Sequence, residues 1–180
     1  RIAMFQVATI ISTTGFASAD FALWSSSATI FILLLMFIGG CSGSTAGGIK
    51  VIRWVVLSKQ TENEVKKLLH PHGIFTIQLN GRVGRKDVVF SVAAFVFFYF
   101  FLTVITTAVA TLSGIDLISS FTAALAMIGN IGPGLGAVGP VENFGFFESG
   151  IKWWFSFIML AGRLELYTMF IFFMPSFWKK

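Results

Sequence analysis

The sequence predicts an all-α membrane protein built from pore-loop repeats, each with an outer helix, a re-entrant pore helix and an inner helix. Three observations carry that expectation. The chain is 56% hydrophobic and only 12% charged, with a mean hydropathy of +0.84 and 22 Phe in 180 residues, far beyond the usage of soluble domains. Two apolar segments of about ten residues, too short to span a bilayer, each end in a Gly-containing polar turn. A Gly/Ser/Thr stretch also interrupts what would otherwise be one long apolar helix.

The chain opens on Arg1-Ile2 without Met or a signal-peptide layout, which points to the C-terminal part of something longer. Residues 2–11 form the first short apolar segment, and Ser12-Thr13-Thr14-Gly15-Phe16 follow it. This is the length of a re-entrant half-helix with its return loop. Residues 24–57 would make a helix about 51 Å long at ~1.5 Å per residue, against ~30 Å of hydrocarbon. Five of the ten residues 39–48, Gly-Gly-Cys-Ser-Gly-Ser-Thr-Ala-Gly-Gly, are glycine. At roughly 1 kcal/mol each against Ala in a helix, they predict a break rather than a tilt. Backbone that leaves the helix at membrane depth must face protein or a water-filled cavity, so the break marks a permeation path or a buried active site.

Residues 59–87 are polar and basic, with Lys59, Lys66, Lys67, Arg82, Arg85 and Lys86, and read as a linker. Residues 88–112 are the clearest membrane span. Residues 119–128 are the second short apolar segment, followed by Gly129-Asn130-Ile131-Gly132-Pro133-Gly134. Superposed at an offset of 117 residues, Ala8 meets Leu125, Ile11 meets Ile128 and Gly15 meets Gly132. Residues 151–177 read as a second long span, closed by Met174-Pro175 and Lys179-Lys180. The layout is thus a partial repeat over 1–58, the linker over 59–87 and a complete repeat over 88–180.

The basic residues also give an orientation. They cluster in 59–87 and at the C-terminus, while residues 113–149 contain no Lys or Arg, which places the linker and the C-terminus in the cytoplasm. The net charge of +5 therefore reflects topology and implies no nucleic-acid partner. Asp20, Asp116, Glu142 and Glu148 would then line an outer approach that concentrates cations, although Asp20 and Asp116 also suit helix caps. Cys41, the single cysteine, excludes an intramolecular disulfide.

A pore helix ending in a Thr/Gly turn suits a cation pore, because extended backbone presents carbonyl oxygens in place of the ion's hydration shell and glycine removes the opposing Cβ. Ser12, Thr13, Thr14, Gly15, Gly129, Asn130, Ile131 and Gly132 are the candidate filter residues, with the ion held at Thr13, Thr14, Gly15, Asn130, Ile131 and Gly132. For the interruption at Gly39, Gly40, Cys41, Ser42, Gly43, Ser44, Thr45, Ala46, Gly47 and Gly48 there are competing readings. Gly39, Gly43 and Gly47 recur every four residues, as in a helix-packing seam. Gly40-Cys41-Ser42-Gly43 fits the Gly-x-Ser-Gly pattern of an intramembrane serine protease or hydrolase using Ser42, but the only histidines, His70 and His72, lie in the polar linker. A phosphate-binding loop fails because Ile49 separates Gly48 from Lys50.

Arg163 falls near the middle of the last span, where a charge costs at least ~2.5 kcal/mol unless it faces a cavity or a partner. Glu165, two positions on, lies on another helix face. Arg163 therefore reads as a pore charge, either an electrostatic barrier or a brace for the broken helix. Lys50 and Arg53 are expected to snorkel to the cytoplasmic interface.

The strings GGCSGSTAGGIK, STTGF, GNIGPGLG and AGRLE, with the linker string HPHGIFTIQLNG, resemble the Trk/Ktr/HKT superfamily of K⁺ transport proteins, and within it the bacterial TrkH branch. The resemblance covers essentially the whole chain. It implies a K⁺-channel-like fold in which these are the third and fourth of four repeats, with Gly15 and Gly132 as their filter glycines. It also implies that residues 39–48 gate the pore and that Arg163 lies beside that loop. The transported ion would be K⁺, with no bound organic cofactor. Implied partners are membrane lipid, the N-terminal repeats of the same protein, a second copy in a homodimer and a TrkA-like cytoplasmic nucleotide-binding regulatory subunit. The implied location is the bacterial inner membrane, as a multi-pass protein.

Overall fold

The computed structural model describes residues 1–73, 75–79, 82–83, 86–164 and 166–178. Expectations resting on Arg85, Glu165, Lys179 and Lys180 lie outside the described residues. Helix α1 covers Ile2–Ile11 and packs against α2, Ser26–Leu35. The chain then pairs Ile38–Gly39 (β1) with Ile49–Lys50 (β2) and enters α3, Val51–Leu69. Gln78–Leu79 (β3) and Arg82–Val83 (β4) form a short antiparallel pair. Helix α4, Lys86–Thr111, is followed by α5, Leu117–Gly129, then α6, Ser149–Arg163, and the short α7 and α8, Tyr167–Phe173 and Pro175–Trp178.

The distribution of side chains is that of a membrane protein. Phe90, Phe97, Phe101 and Val104 on α4 point outward, while Gln6, Thr9, Thr103, Thr106, Ser119 and Thr122 are buried. Among the described residues one helix is long and apolar enough to cross a bilayer, Asp87–Thr111. Two of its buried hydroxyls bond back into the helix, with Thr103 Oγ1 donating to the Tyr99 carbonyl and Thr107 Oγ1 to that of Thr103, both at 2.8 Å. The Trp154 indole donates to Thr106 Oγ1 at 3.3 Å and ties α6 to α4. Helix α5 is the centre of the core. It is buried along nearly its whole length and held between α4 and α6, whereas α1 buries only Gln6, Thr9 and Ile10.

Two expectations change. The span foreseen over 151–177 is interrupted: α6 ends at Arg163 and α7 begins at Tyr167. The break turns Leu166 into the core and lets the Tyr167 hydroxyl donate to the Ser91 carbonyl of α4 at 2.6 Å. The first part of the basic linker is helical, because α3 runs on to Leu69 with Glu62–Lys66 and Glu64–Lys67 pairs one turn apart.

Candidate functional site

The turns at Thr13–Gly15 and Asn130–Gly132 are one structure repeated. At the end of α1, Thr13 N–H donates to the Ile10 carbonyl and Thr14 N–H to that of Thr9, both at 3.1 Å. At the end of α5, Asn130 N–H donates to Met127 at 3.2 Å and Ile131 N–H to Ala126 at 2.9 Å. Each pair is a Schellman closure, which satisfies the last helical carbonyls by placing one residue in the left-handed region. Those residues are Thr13 (φ 55°) and Asn130 (φ 53°), and two positions later Gly15 (φ 78°) and Gly132 (φ 103°) again have positive φ. All of these correspondences fall at the offset of 117 residues.

Polar side chains of α1 and α5 hold the segments that follow. Thr122 Oγ1 accepts from Leu135 N–H at 3.0 Å and Ser119 Oγ from Ala137 N–H at 2.9 Å. On the α1 side, Gln6 Nε2 donates to the Ala19 carbonyl at 2.8 Å. The two candidate filter glycines are neighbours in space: a Cβ on Gly132 would lie 3.4 Å from the Gly15 Cα. Ser12 and Thr14 are exposed and Ile131 is buried. Gly129 is the last residue of α5, and its carbonyl faces Gly47.

The Gly-rich stretch forms a closed loop. Its neck is the parallel pairing of Ile38 with Ile49 and Gly39 with Lys50, anchored by buried Met36 and Ile49. The rings of Phe37 and Phe100 stack at 5.7 Å and dock the neck on α4. A Cβ on Gly39 would come within 2.3 Å of the Gly47 carbonyl, and Gly48 has φ 75°. At the tip, Ser44 N–H donates to the Cys41 carbonyl at 2.9 Å, and Gly43 has open space around it. The competing reading of Gly39, Gly43 and Gly47 as a helix-packing seam does not hold. Gly39 and Gly47 meet across the neck of one loop, while Gly43 sits at its tip.

Lys50 and Arg53 both have partners within the fold. The Lys50 ammonium turns back to the Ser42 carbonyl at 3.3 Å, and the Arg53 guanidinium lies 3.7 Å from the Phe95 ring centroid, a cation–π contact. Ser42 is exposed near the loop tip. His70 caps the far end of α3, about 29 Å along the axis from Val51 at ~1.5 Å per residue, so the linker histidines are remote from Ser42.

Arg163 is exposed at the last position of α6. Its neighbour Gly162 is pressed on the Ile128 carbonyl, while Gly47 is pressed on the Gly129 carbonyl, so α6 and the loop grip the same end of α5. Asp20 and Asp116 are caps: their carboxylates accept from Ala22 N–H at 2.9 Å and Ser119 N–H at 3.0 Å. The hydrogen bonding from Ser119 holds the Asp116 carboxyl below its ordinary range. Glu148 flanks the start of α6 without a side-chain cap bond, and Glu142 is exposed. The role sequence reasoning missed is that of the Asn130 side chain, whose Nδ2 donates to the Met159 carbonyl at 3.0 Å. No sequence spacing signals such a tie.

Residues 1–180 match the family described as TrkH, cation transport protein. A Trk system potassium uptake protein, TrkI, of Halomonas elongata is 38% identical over 178 residues, covering 98% of this chain and 36% of that protein. TrkH of Vibrio parahaemolyticus serotype O3:K6 is 39% identical over 177 residues, 98% of this chain and 36% of its own. A crystal structure of the potassium transporter TrkH from Vibrio parahaemolyticus superposes with a TM-score of 0.88 at 39% identity, over 99% of this chain and 38% of that one. The chain spans little more than a third of the length of the relatives it matches.

Proposed function

The chain belongs to the TrkH family of cation transport proteins, and from that premise we propose that it supplies two pore-loop repeats of a K⁺ uptake pore. Ser12 to Gly15 and Gly129 to Gly132 line its filter, with carbonyls from Thr13, Thr14, Gly15, Asn130, Ile131 and Gly132 replacing the hydration shell of K⁺. The loop of residues 39–48 gates the pore at the inner end of α5, and Arg163 beside it opposes cation residence or steadies the closed loop. Asp20, Asp116, Glu142 and Glu148 form the outer approach, and residues 59–87 lie in the cytoplasm. The working assembly is a multi-pass inner-membrane protein: the other repeats of the longer chain, a second copy, surrounding lipid and a nucleotide-binding regulatory subunit.

The observation that carries this reading is the repetition of one left-handed turn at Thr13/Gly15 and Asn130/Gly132, with the two glycines adjacent. An ordinary turn need not recur with the same hydrogen bonds 117 residues on, nor meet its copy. The test is K⁺ uptake by the full-length parent in cells lacking their own uptake systems. Rescue of growth at low K⁺ is expected, and no rescue at normal membrane abundance would overturn the reading.

A further inference from the structure

The inner end of α5 is gripped from two sides. On the loop side, a Cβ on Gly47 would lie 2.2 Å from the Gly129 carbonyl oxygen. On the α6 side, a Cβ on Gly162 would lie 2.0 Å from the Ile128 carbonyl oxygen, and Asn130 Nδ2 donates to the Met159 carbonyl. The gripped residues lead directly into the turn at Gly132.

The matching turn after α1 lacks this tie. Thr13 stands where Asn130 does, and its buried hydroxyl has no partner among the described residues. The turn therefore forms without a side-chain bond to an inner helix, and the Asn130 amide has another use. Asn is among the few residues that adopt the left-handed conformation readily, so it can fill the turn and reach α6 at once.

We propose that Asn130 is a positioning residue that couples the filter turn at Gly132 to the Gly-rich loop. The amide tie and the seat of Gly47 on Gly129 hold residues 128–132 between α6 and the loop, so a shift of the loop moves the carbonyls of that turn. The proposal rests on the reading of residues 39–48 as gate and 129–132 as filter. Coupling between two equilibria is reciprocal: a change at Asn130 must alter the loop, and a change in the loop must alter ion discrimination.

Cys41, exposed in the loop, is a built-in reporter. The experiment uses the full-length parent in proteoliposomes, with any cysteines beyond these 180 residues replaced. It reads the K⁺/Na⁺ flux ratio and the rate of Cys41 modification by a methanethiosulfonate reagent. Asn130→Asp keeps the size and the left-handed tendency but removes the donor. Gly150→Ala, with open space around it in the first turn of α6, controls for handling. Both readouts are expected to change by about fivefold or more in Asn130→Asp, the lower end of typical site–site coupling.

A changed ratio with parental Cys41 labelling overturns the coupling and leaves the filter reading intact. Changed labelling with a parental ratio also overturns it, because the loop then responds without the filter. If neither readout moves, the coupling and the filter role of this turn both fail. Should Asn130→Asp not reach the membrane, Gly47→Ala reads the link from the other side. An altered ratio is expected there, and altered flux at a parental ratio overturns the coupling while sparing the gate.

Discussion

Gly15 and Gly132, 117 residues apart in sequence, are packed against each other: a Cβ on Gly15 would lie 2.8 Å from the carbonyl oxygen of Ile131 and 3.9 Å from the Cα of Gly132. Both glycines have positive φ, so a side chain at either is opposed by backbone conformation, and at Gly15 by contact as well. The two half-helices thus deliver their turns to one place.

The segment after the second turn is held by two hydroxyls of α5, those of Thr122 and Ser119. Thr122 Oγ1 accepts from Leu135 N–H in a fully buried setting, and Thr122→Val removes that acceptor while keeping the shape. Leaving a buried N–H unpaired is expected to cost about 1–3 kcal/mol. The check is the denaturation midpoint of the purified full-length protein in detergent; an unshifted midpoint contradicts the role.

The neck of the Gly-rich loop is closed below its tip, by Gly39 opposite Lys50 and by a hydrogen bond from Val51 N–H to the Gly40 carbonyl. Deleting residues 41–46 should therefore leave α2 and α3 in place and raise K⁺ flux through the full-length parent. Unchanged or lower flux at normal abundance counts against a gate.

A unit charge about 10 Å from a permeating cation, at an effective dielectric constant of about 20, opposes it by about 1.7 kcal/mol, or more than tenfold in occupancy. If Arg163 is such a barrier, Arg163→Gln should raise flux by roughly that factor and Arg163→Lys should restore parental flux. Tracer uptake measures both, and equal flux in Arg163→Gln and the parent rules the barrier out.

Much of this arrangement was legible in the sequence. The bounds of α1, the break after α2 and the spacing of 117 residues follow from apolar length and glycine placement, which act locally. The interruption after Arg163 was not legible. The run from Leu164 to Phe173 contains no Gly or Pro, and the break reflects the burial of Leu166 and the reach of Tyr167 to α4, both tertiary. The parallel pairing at the loop neck and the Asn130–Met159 bond are likewise products of packing. The continuation of α3 past Leu57 could have been read from Glu62, Glu64, Lys66 and Lys67, whose spacings of four and three residues suit a solvated helix.

The most direct test of the central claim is the K⁺/Na⁺ flux ratio of the full-length parent with Gly15→Ala or Gly132→Ala. Distorting a left-handed position of the proposed filter is expected to lower the ratio about five- to thirtyfold, since forcing an L residue there costs roughly 1–2 kcal/mol. A parental ratio in both variants, at normal membrane abundance, would contradict the assignment of these two turns as the ion filter.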